Sequence, residues 1–322
     1  MKINKLSDNL TPLDEGIFFG IDTESDTPSE IVVEIIEATT GEVVAVQQLH
    51  NILTTRINIA PYIAHLSEYA PTQTTQTSFA ELPSTEYKIR IDEVESEAIV
   101  VSVNRCKIGA TPTLITDFPH SRRVARGEND EVMFAAEPGK RISAELVANT
   151  GETLSLKYLT TTNLSTLIIA AEEFDSDIAS FDVTLYCEEE EFAALHYTVV
   201  PPLKNATRLA WLSECGTIEQ YTFPVSHKVK HSTEKQSIMT NSGICAAHHQ
   251  TKLTISLCSR LEPRATVEAL AKIISSPKVW VKHKGCYKLV EVATTELEYN
   301  LFGEPGFLHL DICLWQKGVA LW

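Results

Sequence analysis

Short runs of apolar residues, alternating or continuous, follow one another along most of the chain and are separated by turn signals. The run "EIVVEIIEATTGEVVAVQQLH" places two segments rich in Val and Ile around Gly41, which can take the positive φ of a tight turn. The next run, "RINIAPYI", puts Ile57 and Ile59 on one strand face before Pro61 ends the strand. The pattern predicts a small β module over residues 1–86.

The last part of this module is rich in Thr and Gln and has prolines near both ends. Its sequence, "PTQTTQTSFAELPSTE" at 71–86, contains only scattered apolar residues, which is typical of a linker. A long surface loop inside one domain is the competing interpretation. We interpret the segment as a boundary between modules.

Residues 87–203 are predicted to form an antiparallel β-sandwich. Strand-like runs recur at short intervals and have turn signals such as "EPGK" and "NTGE" between several of them. The runs are "YKIRIDEV", "EAIVVSVN", "ISAELVAN", "LSLKYL", "STLIIAA", "FDVTLYC" and "LHYTVV". The module ends at Pro201 and Pro202, because neither proline can donate a hydrogen bond to a sheet.

Residues 204–322 are predicted to form a last β module with one packed α-helix. The helix is "PRATVEALAKIISS", in which Pro263 suits the first turn and four residues share one face: Val267, Leu270, Ala271 and Ile274. A hairpin turning at Lys284-Gly285 follows, and then "GFLHLDICLW", whose leucines and Ile312 alternate. The predicted fold is therefore mainly β, with two or three consecutive antiparallel β-sandwich or barrel modules.

Aromatic residues gather at the start of this last module. The stretch "RLAWLSECGTIEQYTFP" predicts strand, turn and strand, with Trp211 on the first strand, Gly216 in the turn, and Tyr221 and Phe223 on the second. Such rings are typical of the hydrophobic core of a small β-domain. Together with Trp280 and Trp315, they are the residues we single out for a structural or interaction role.

The distribution of charge is uneven. The chain has 322 residues and a formal net charge of -16. Residues 1–200 hold 13 Lys and Arg against 33 Asp and Glu, whereas residues 201–322 hold 14 against 10. The acidic body argues against nucleic-acid partners, which require a basic surface. The opposite charges of the two parts favour head-to-tail attraction between copies of the chain.

Targeting and membrane signals are not evident in the sequence. The N-terminal residues contain no apolar run suited to a signal peptide, and no window approaches the roughly 18 apolar residues of a membrane span. Seven cysteines are scattered singly, which favours free thiols in a reducing compartment. We therefore expect a soluble protein that is cytoplasmic when made and has no membrane partner.

Two groups of histidines and cysteines are candidate metal sites. His227 and His231 lie in a segment that alternates like a strand, where positions four apart are separated by roughly 13 Å. Cys245, His248, His249 and Cys258 supply only half of a paired zinc pattern. The sequence therefore predicts no metal ligands and no cofactor.

Charged clusters have simpler interpretations than catalysis or phosphate binding. The acidic run 188–191 is predicted to be a solvated hairpin tip. The cluster Arg122, Arg123 and Arg126 is predicted to be a charged loop that makes ion pairs, within the chain or across subunits. The chain lacks the G-x-S-x-G, H-E-x-x-H, G-x-G-x-x-G and G-x-x-x-x-G-K-[ST] motifs. No catalytic residue is predicted, and we expect the protein not to be an enzyme.

The pattern W-L-x-x-x-G-x-x-x-x-Y-T-F at 211–223, followed by a helix ending in "SSPKVWV" and a "YKLVEV" strand, carries a resemblance. It resembles the C-terminal module of phage tail and virion-associated proteins from Bacteroidales-type prophages. The resemblance implies a structural protein that works by self-association or by docking on other virion or tail proteins. It also implies that the protein ends up in the virion.

Two other classes of function stay open at this point. A carbohydrate-binding or surface-adhesion protein would use Trp280 or Trp315 to stack on sugar rings. A β-sandwich hydrolase or lyase would instead require a cleft with convergent carboxylates and a histidine.

Overall fold

The structure is a computed structural model that describes residues 1–64, 69–82, 84–102, 105, 107, 111–174, 177–241, 243–297 and 305–316. Within the strands, side-chain placement is not described for residues 225–227, 235, 240, 245–250, 315 and 316. The fold is mainly β, as predicted, and consists of several sheets packed around separate apolar cores.

The N-terminal module encloses one core between two sheets of order β1-β2-β5 and β4-β3-β7-β8, with β9 also paired to β7. Its elements are β1 (Lys2–Lys5), β2 (Phe18–Asp22), β3 (Ser29–Glu37), β4 (Val43–Ile52), β5 (Thr54–Asn58), α1 (Ala60–Ile63), β7 (Ser84–Ile91), β8 (Val94–Glu95) and β9 (Ile99–Ser102). Gly41 has φ 74 in the predicted β3-β4 turn. Strand β5 ends at Asn58, so Ile59 precedes α1 and does not share the predicted strand face with Ile57; Pro61 lies in the first turn of this short helix.

The strand pairing differs from the predicted boundary near residue 86. Strand β7 crosses that position and pairs with β3, with Tyr87 opposite Glu37. Strand β6 (Ser78–Glu81), inside the predicted linker, instead joins a sheet of the central module. The chain thus enters the central module and returns before the N-terminal sheet is complete. The alternation of apolar residues along a strand predicts which face is buried, but it does not predict which strand lies beside it. The sequence therefore did not show that β6 and β7 pair in different modules.

The central module is a sandwich of two sheets, ordered β10-β12-β15-β6 and β11-β17-β16-β13-β14. Its further strands are β10 (Thr113–Ile115), β11 (Ser121–Ala125), β12 (Asn129–Ala135), β13 (Arg141–Ala148), β14 (Thr153–Leu159), β15 (Leu164–Ala170), β16 (Ser180–Cys187) and β17 (Glu190–Val200). All pairs are antiparallel except β11 with β17, which are parallel. Phe134, Phe181 and Tyr197 are buried in its core.

The C-terminal module is a seven-stranded antiparallel sheet of order β19-β18-β22-β23-β24-β21-β20. Its elements are β18 (Thr207–Leu212), β19 (Ile218–Phe223), β20 (Val225–Thr240), β21 (Gly243–Cys258), α2 (Arg264–Ala271), β22 (Val279–His283), β23 (Cys286–Val292) and β24 (His309–Gln316). The two edge strands, β19 and β20, are joined through Pro224 alone, so the sheet curls until its edges meet at that corner. Helix α2 packs on the core through Val267 and Leu270, as predicted, but it is shorter than predicted. It ends at Ala271, and residues Lys272–Ser275, with Ile274, form a 3-10 helix.

Two hairpins turn where the sequence predicted. Lys284 and Gly285 both have positive φ, at 50 and 82, which is the geometry of the tight turns that match strand twist. The acidic run turns in the same way, because Glu188 and Glu189 have φ 49 and 78 between β16 and β17. The alternating residues of β24 are also buried as expected, with Leu310 at 1% and Ile312 at 0% exposed.

Candidate functional site

The aromatic residues of the first C-terminal hairpin lie inside the module. Strands β18 and β19 turn Trp211, Tyr221 and Phe223 toward α2 and β24, and their exposed fractions are at most 5%. The Tyr221 and Phe223 rings meet edge to face, with centroids 5.0 Å apart. Gly216 has φ 82 in the connecting turn. These residues build the core, and their rings offer little surface to a ligand.

The two remaining tryptophans lie elsewhere. Trp280 on β22 is 6% exposed and packs with Ala210, Leu212 and Ile218 on the other face of the same sheet. Its buried ring has no free face for a sugar. Trp315 pairs with Lys252 across β24 and β21, and its side chain lies outside the described set.

Phe118 connects the central module to the C-terminal core. It follows β10, yet the centroid of its ring lies 6.0 Å from the ring centroid of Trp211 and 6.5 Å from that of Tyr221. It is 5% exposed and belongs to the C-terminal apolar cluster. The two modules are therefore docked through a shared core, and β12 packs against β19 beside it.

Buried charges surround this docked region. We call Arg122, Asp130, Glu131, Arg208 and Glu219 the interface cluster; each is at most 5% exposed. Arg122 on β11 pairs with Asp130 on β12 at 2.9 Å and with Glu219 on β19 at 3.2 Å. One guanidinium therefore connects carboxylates from both modules. Tyr197 also donates to Asp130 at 2.8 Å.

The second half of the interface cluster is centred on Gln220. Its amide donates to Glu131 at 3.0 Å, and its carbonyl oxygen accepts from Arg208 at 3.0 Å. The Thr72 amide also donates to Glu131, at 2.6 Å. The segment that precedes β6, the central sheet and the C-terminal sheet thus converge on one carboxylate.

Several oxygens of the interface cluster have no hydrogen-bond partner among the described residues. They are Asp130 Oδ1, Glu131 Oε2 and Glu219 Oε2, although the last of these lies 3.2 Å from Arg122 in an ion pair; the Oδ1 atom of the adjacent Asn129 also lacks a hydrogen bond. Burial raises the pKa of Glu131 to about 7, with a further contribution from the Asp130 charge against the Thr72 hydrogen bond. Burial also raises the pKa of Glu219, although the Arg122 charge opposes this shift. Buried oxygens without hydrogen bonds and buried carboxylates destabilise the folded state, and the raised pKa values of Glu131 and Glu219 make its stability depend on pH.

The longest hairpin projects beyond its own sheet. We call β20 and β21 the long hairpin, and its distal part, residues 234–250, the arm. Strand β24 covers β21 only over Thr251–Cys258, whereas β20 and β21 remain paired out to Thr240 and Gly243. The arm is therefore a two-stranded ribbon. Near its tip Ile238, Met239 and Ile244 are 50%, 81% and 71% exposed.

The structure also places the remaining candidates. His231 lies on strand β20, as the alternation predicted, while the side chains of His227, Cys245, His248 and His249 lie outside the described set. Among the described residues, no group of three or more His, Cys, Asp or Glu is arranged to hold a metal ion. Among the cysteines with described side chains, no disulfide joins Cys187, Cys215, Cys258, Cys286 or Cys313.

The arginine cluster is not a loop, which corrects the sequence interpretation. Arg122 and Arg123 lie on strand β11, and Arg126 follows it. Arg123 pairs with Glu262, and Arg126 donates to the Phe174 carbonyl at 3.1 Å. The predicted ion pairs do form, but they form within the chain. They fix the docking of modules that are distant in sequence.

Sequence reasoning missed the arm and the interface cluster. A signal for the arm was present, because "HSTEKQSIMTNSGI" has polar residues on both strand faces and apolar residues beside an Asn-x-Gly turn. No local signal marks Glu131 or Glu219, since their partners come from distant strands. Within the part of the chain that the structure describes, no helix combines the length and apolar character needed to cross a bilayer.

No protein-family model matches the chain, and no curated protein matches it. Among solved structures, the chicken interferon gamma receptor alpha chain is 12% identical, with 59% of this chain and 93% of that chain covered and a TM-score of 0.17. The chicken CNTN1 FN1-FN3 domains are 9% identical, with 80% and 91% covered and a TM-score of 0.22. A tetra-tandem repeat from a large adhesion protein is 8% identical, with 80% and 69% covered and a TM-score of 0.19. Scores this low carry no argument about function.

Proposed function

We propose that the protein is a structural component that acts by protein-protein association, as a tail or virion protein of a prophage. The observation that carries the proposal is the arm. A two-stranded ribbon in water is of low stability by itself, and this one also exposes apolar side chains near its tip. Burying such side chains against another polypeptide is favourable by roughly 25 cal/mol for each Å² of apolar surface.

The docking of the modules supports the same proposal. Phe118 and the interface cluster join the central and C-terminal modules, so the arm projects from a firmly connected body. A rigid base lowers the entropic cost of binding a partner at the tip. The resemblance of residues 211–223 and the following helix and strand to virion-associated proteins suggests the kind of particle that the arm contacts.

The test compares the wild-type protein with an arm variant in which Ile238, Met239 and Ile244 are changed to Ser. We expect the wild type to self-associate in light scattering or to co-sediment with virion particles, and the arm variant to lose this association. A matched control changes Leu203, Leu261 and Leu289, which are 44%, 52% and 64% exposed outside the arm, to Ser. The proposal fails if the wild type is monomeric at all concentrations and binds no virion protein, or if the control variant loses association equally.

Surface adhesion is the second candidate, because tandem β modules with a projecting apolar arm also suit attachment to another surface. Stacking of sugars on Trp280 is not supported, because that ring is buried. An adhesin is expected to bind a cell-surface target and not virion particles. The two candidates are separated by comparing the binding of the same arm variant to both targets.

A further inference from the structure

A second exposed edge lies on the N-terminal module. Strand β4 is at the end of its sheet and pairs only with β3 among the described residues. Its ten residues, "VVAVQQLHNI", contain no Lys, Arg, Asp, Glu or Pro. Exposed edge strands are usually protected by charge, proline or a bulge that twists the edge away. Strand β4 has register irregularities on its β3 side. Its His50 lies 3.0 Å from Glu30 on β3, and β4 presents no lysine, arginine or carboxylate of its own to repel another strand.

The outer face beside β4 combines exposed valines with carboxylates. Val46 and Val32 are 59% and 46% exposed, and Glu34 lies opposite Val46 in the register. Over residues 1–102 the sequence has 5 Lys and Arg against 17 Asp and Glu, a net charge of -12. Glu34 itself is paired with Arg90 at 2.6 Å, so the acidic character belongs to the N-terminal module as a whole, and the valines make the face beside β4 partly apolar.

The long hairpin has the complementary properties. Strand β20 is also at the end of its sheet and pairs only with β21 among the described residues. The sequence 225–258 holds four Lys, four His and one Glu, with no Arg or Asp, which gives a net charge of +3 with neutral His. Its free edge is 16 residues long and leads to the apolar tip.

We propose that β20 of one copy pairs edge to edge with β4 of a second copy, so that copies join head to tail. This inference rests on the proposed function, because it names the partner of the arm and the surface that receives it. Opposite net charges favour this pairing over hairpin with hairpin or N-terminal module with N-terminal module, both of which bring like charges together. Edge pairing also satisfies the free amide and carbonyl groups of both strands. Such an interface is heterologous and generates a ring or an open chain.

The test uses two blocked chains. In the arm-deleted chain, residues 234–250 are replaced by Asn-Gly between Thr233 and Thr251, which face each other across the hairpin. In the edge-blocked chain, Val46→Lys and Gln48→Lys place positive charges on exposed positions of β4. A matched chain carries Val46→Glu and Gln48→Glu at the same two positions.

We expect each blocked chain alone to be monomeric in light scattering, and their mixture to form only a 1:1 dimer. The mixture retains one intact edge and one intact hairpin, so a single interface forms and growth stops. The Glu chain is expected to associate at least as well as the wild type, and the Lys chain about tenfold or more weakly. If the arm deletion does not fold, Lys228→Glu with Lys230→Glu serves as the hairpin-blocked chain.

The outcomes separate this inference from the proposed function. If the edge-blocked chain associates like the wild type while the arm-deleted chain does not, the arm binds elsewhere, so the pairing with β4 is wrong and the proposed function stands. Loss of association in both the Lys and the Glu chains, or no dimer in the mixture, also overturns the pairing. Unchanged association of the arm-deleted chain contradicts both proposals.

Discussion

At the scale of single residues, Glu131 is a carboxylate that is only 2% exposed to solvent. It lies on the central sheet beneath the C-terminal module and accepts hydrogen bonds from the Thr72 amide and the Gln220 side chain. The charged or titratable groups that interact with it are Asp130, Arg208, Tyr69 and Tyr287. Burial raises the pKa of Glu131 from about 4.5 to about 7. The folded protein therefore holds this proton more tightly than the unfolded chain does.

This shift predicts that Glu131 lowers stability as pH rises from about 4.5 to about 7, because over this range the unfolded chain has released the proton that the folded state still holds. We expect Glu131→Gln to raise the free energy of unfolding above pH 7, by on the order of 1 to 3 kcal/mol. Below about pH 4.5 the difference should vanish, since both states of the wild type are then protonated. Urea unfolding at several pH values measures the effect.

The control for this prediction is Glu42→Gln, which changes an exposed carboxylate in the β3-β4 turn. Its unfolding free energy should follow that of the wild type at every pH. A Glu131→Gln protein that is less stable than the wild type above pH 7 would contradict the prediction. Glu219 keeps its own raised pKa in the variant, so part of the pH dependence should remain.

At the scale of elements, the sequence contained enough to place most strands and the one long helix. The alternation of β24, the Lys284-Gly285 turn and the proline before α2 are local signals, and each lies where predicted. Such local signals could not predict the strands with which β6 and β7 pair. Any strand that also has one apolar face could lie beside them. The interface cluster depends on those long-range pairings, so it was not visible in the sequence.

Among the contacts between elements, we expect those of Phe118 to contribute most to the free energy of unfolding. It extends from the segment after β10 into the C-terminal core, near Trp211 and Tyr221. We expect Phe118→Ala to lower the free energy of unfolding by about 3 to 5 kcal/mol, because a buried ring is lost and a cavity is left between the modules. The loss should also separate the unfolding of the C-terminal module from that of the central module in denaturant titrations.

Tryptophan fluorescence and far-UV circular dichroism are followed in the same urea titration. If the two modules unfold separately, the two signals should give transitions that do not coincide. The matched control is Phe307→Ala, which removes a ring that is 53% exposed and should change stability by less than about 0.5 kcal/mol. Phe118→Ala unfolding in one transition, with a loss no larger than that of the control, would show that the shared core contributes little to docking.

At the scale of the whole molecule, the N-terminal part of the chain is acidic and the long hairpin is basic. The N-terminal 102 residues carry -12 and the long hairpin carries +3. Exposed charges on separate molecules attract across solvent, and dissolved salt screens them over about 10 Å at 0.1 M. Association between copies should therefore depend on ionic strength.

We expect the dissociation constant for self-association to rise about tenfold between about 50 mM and about 500 mM sodium chloride, chiefly through a slower association rate. Sedimentation velocity and stopped-flow light scattering measure the two quantities. Association that becomes stronger over this range would indicate a contact dominated by apolar surface, and the charge argument for the head-to-tail arrangement would fail.

The single residue between β19 and β20 has a mechanical consequence. Pro224 brings the two edges of the seven-stranded sheet together at the base of the long hairpin. A force that pulls on the long hairpin along its strands is therefore transmitted to two strands. It reaches β19 through the peptide chain and β24 through the backbone hydrogen bonds between β21 and β24. The force is shared in shear by many backbone hydrogen bonds instead of unzipping them one after another. A particle built from such subunits would resist tension at the joints between them.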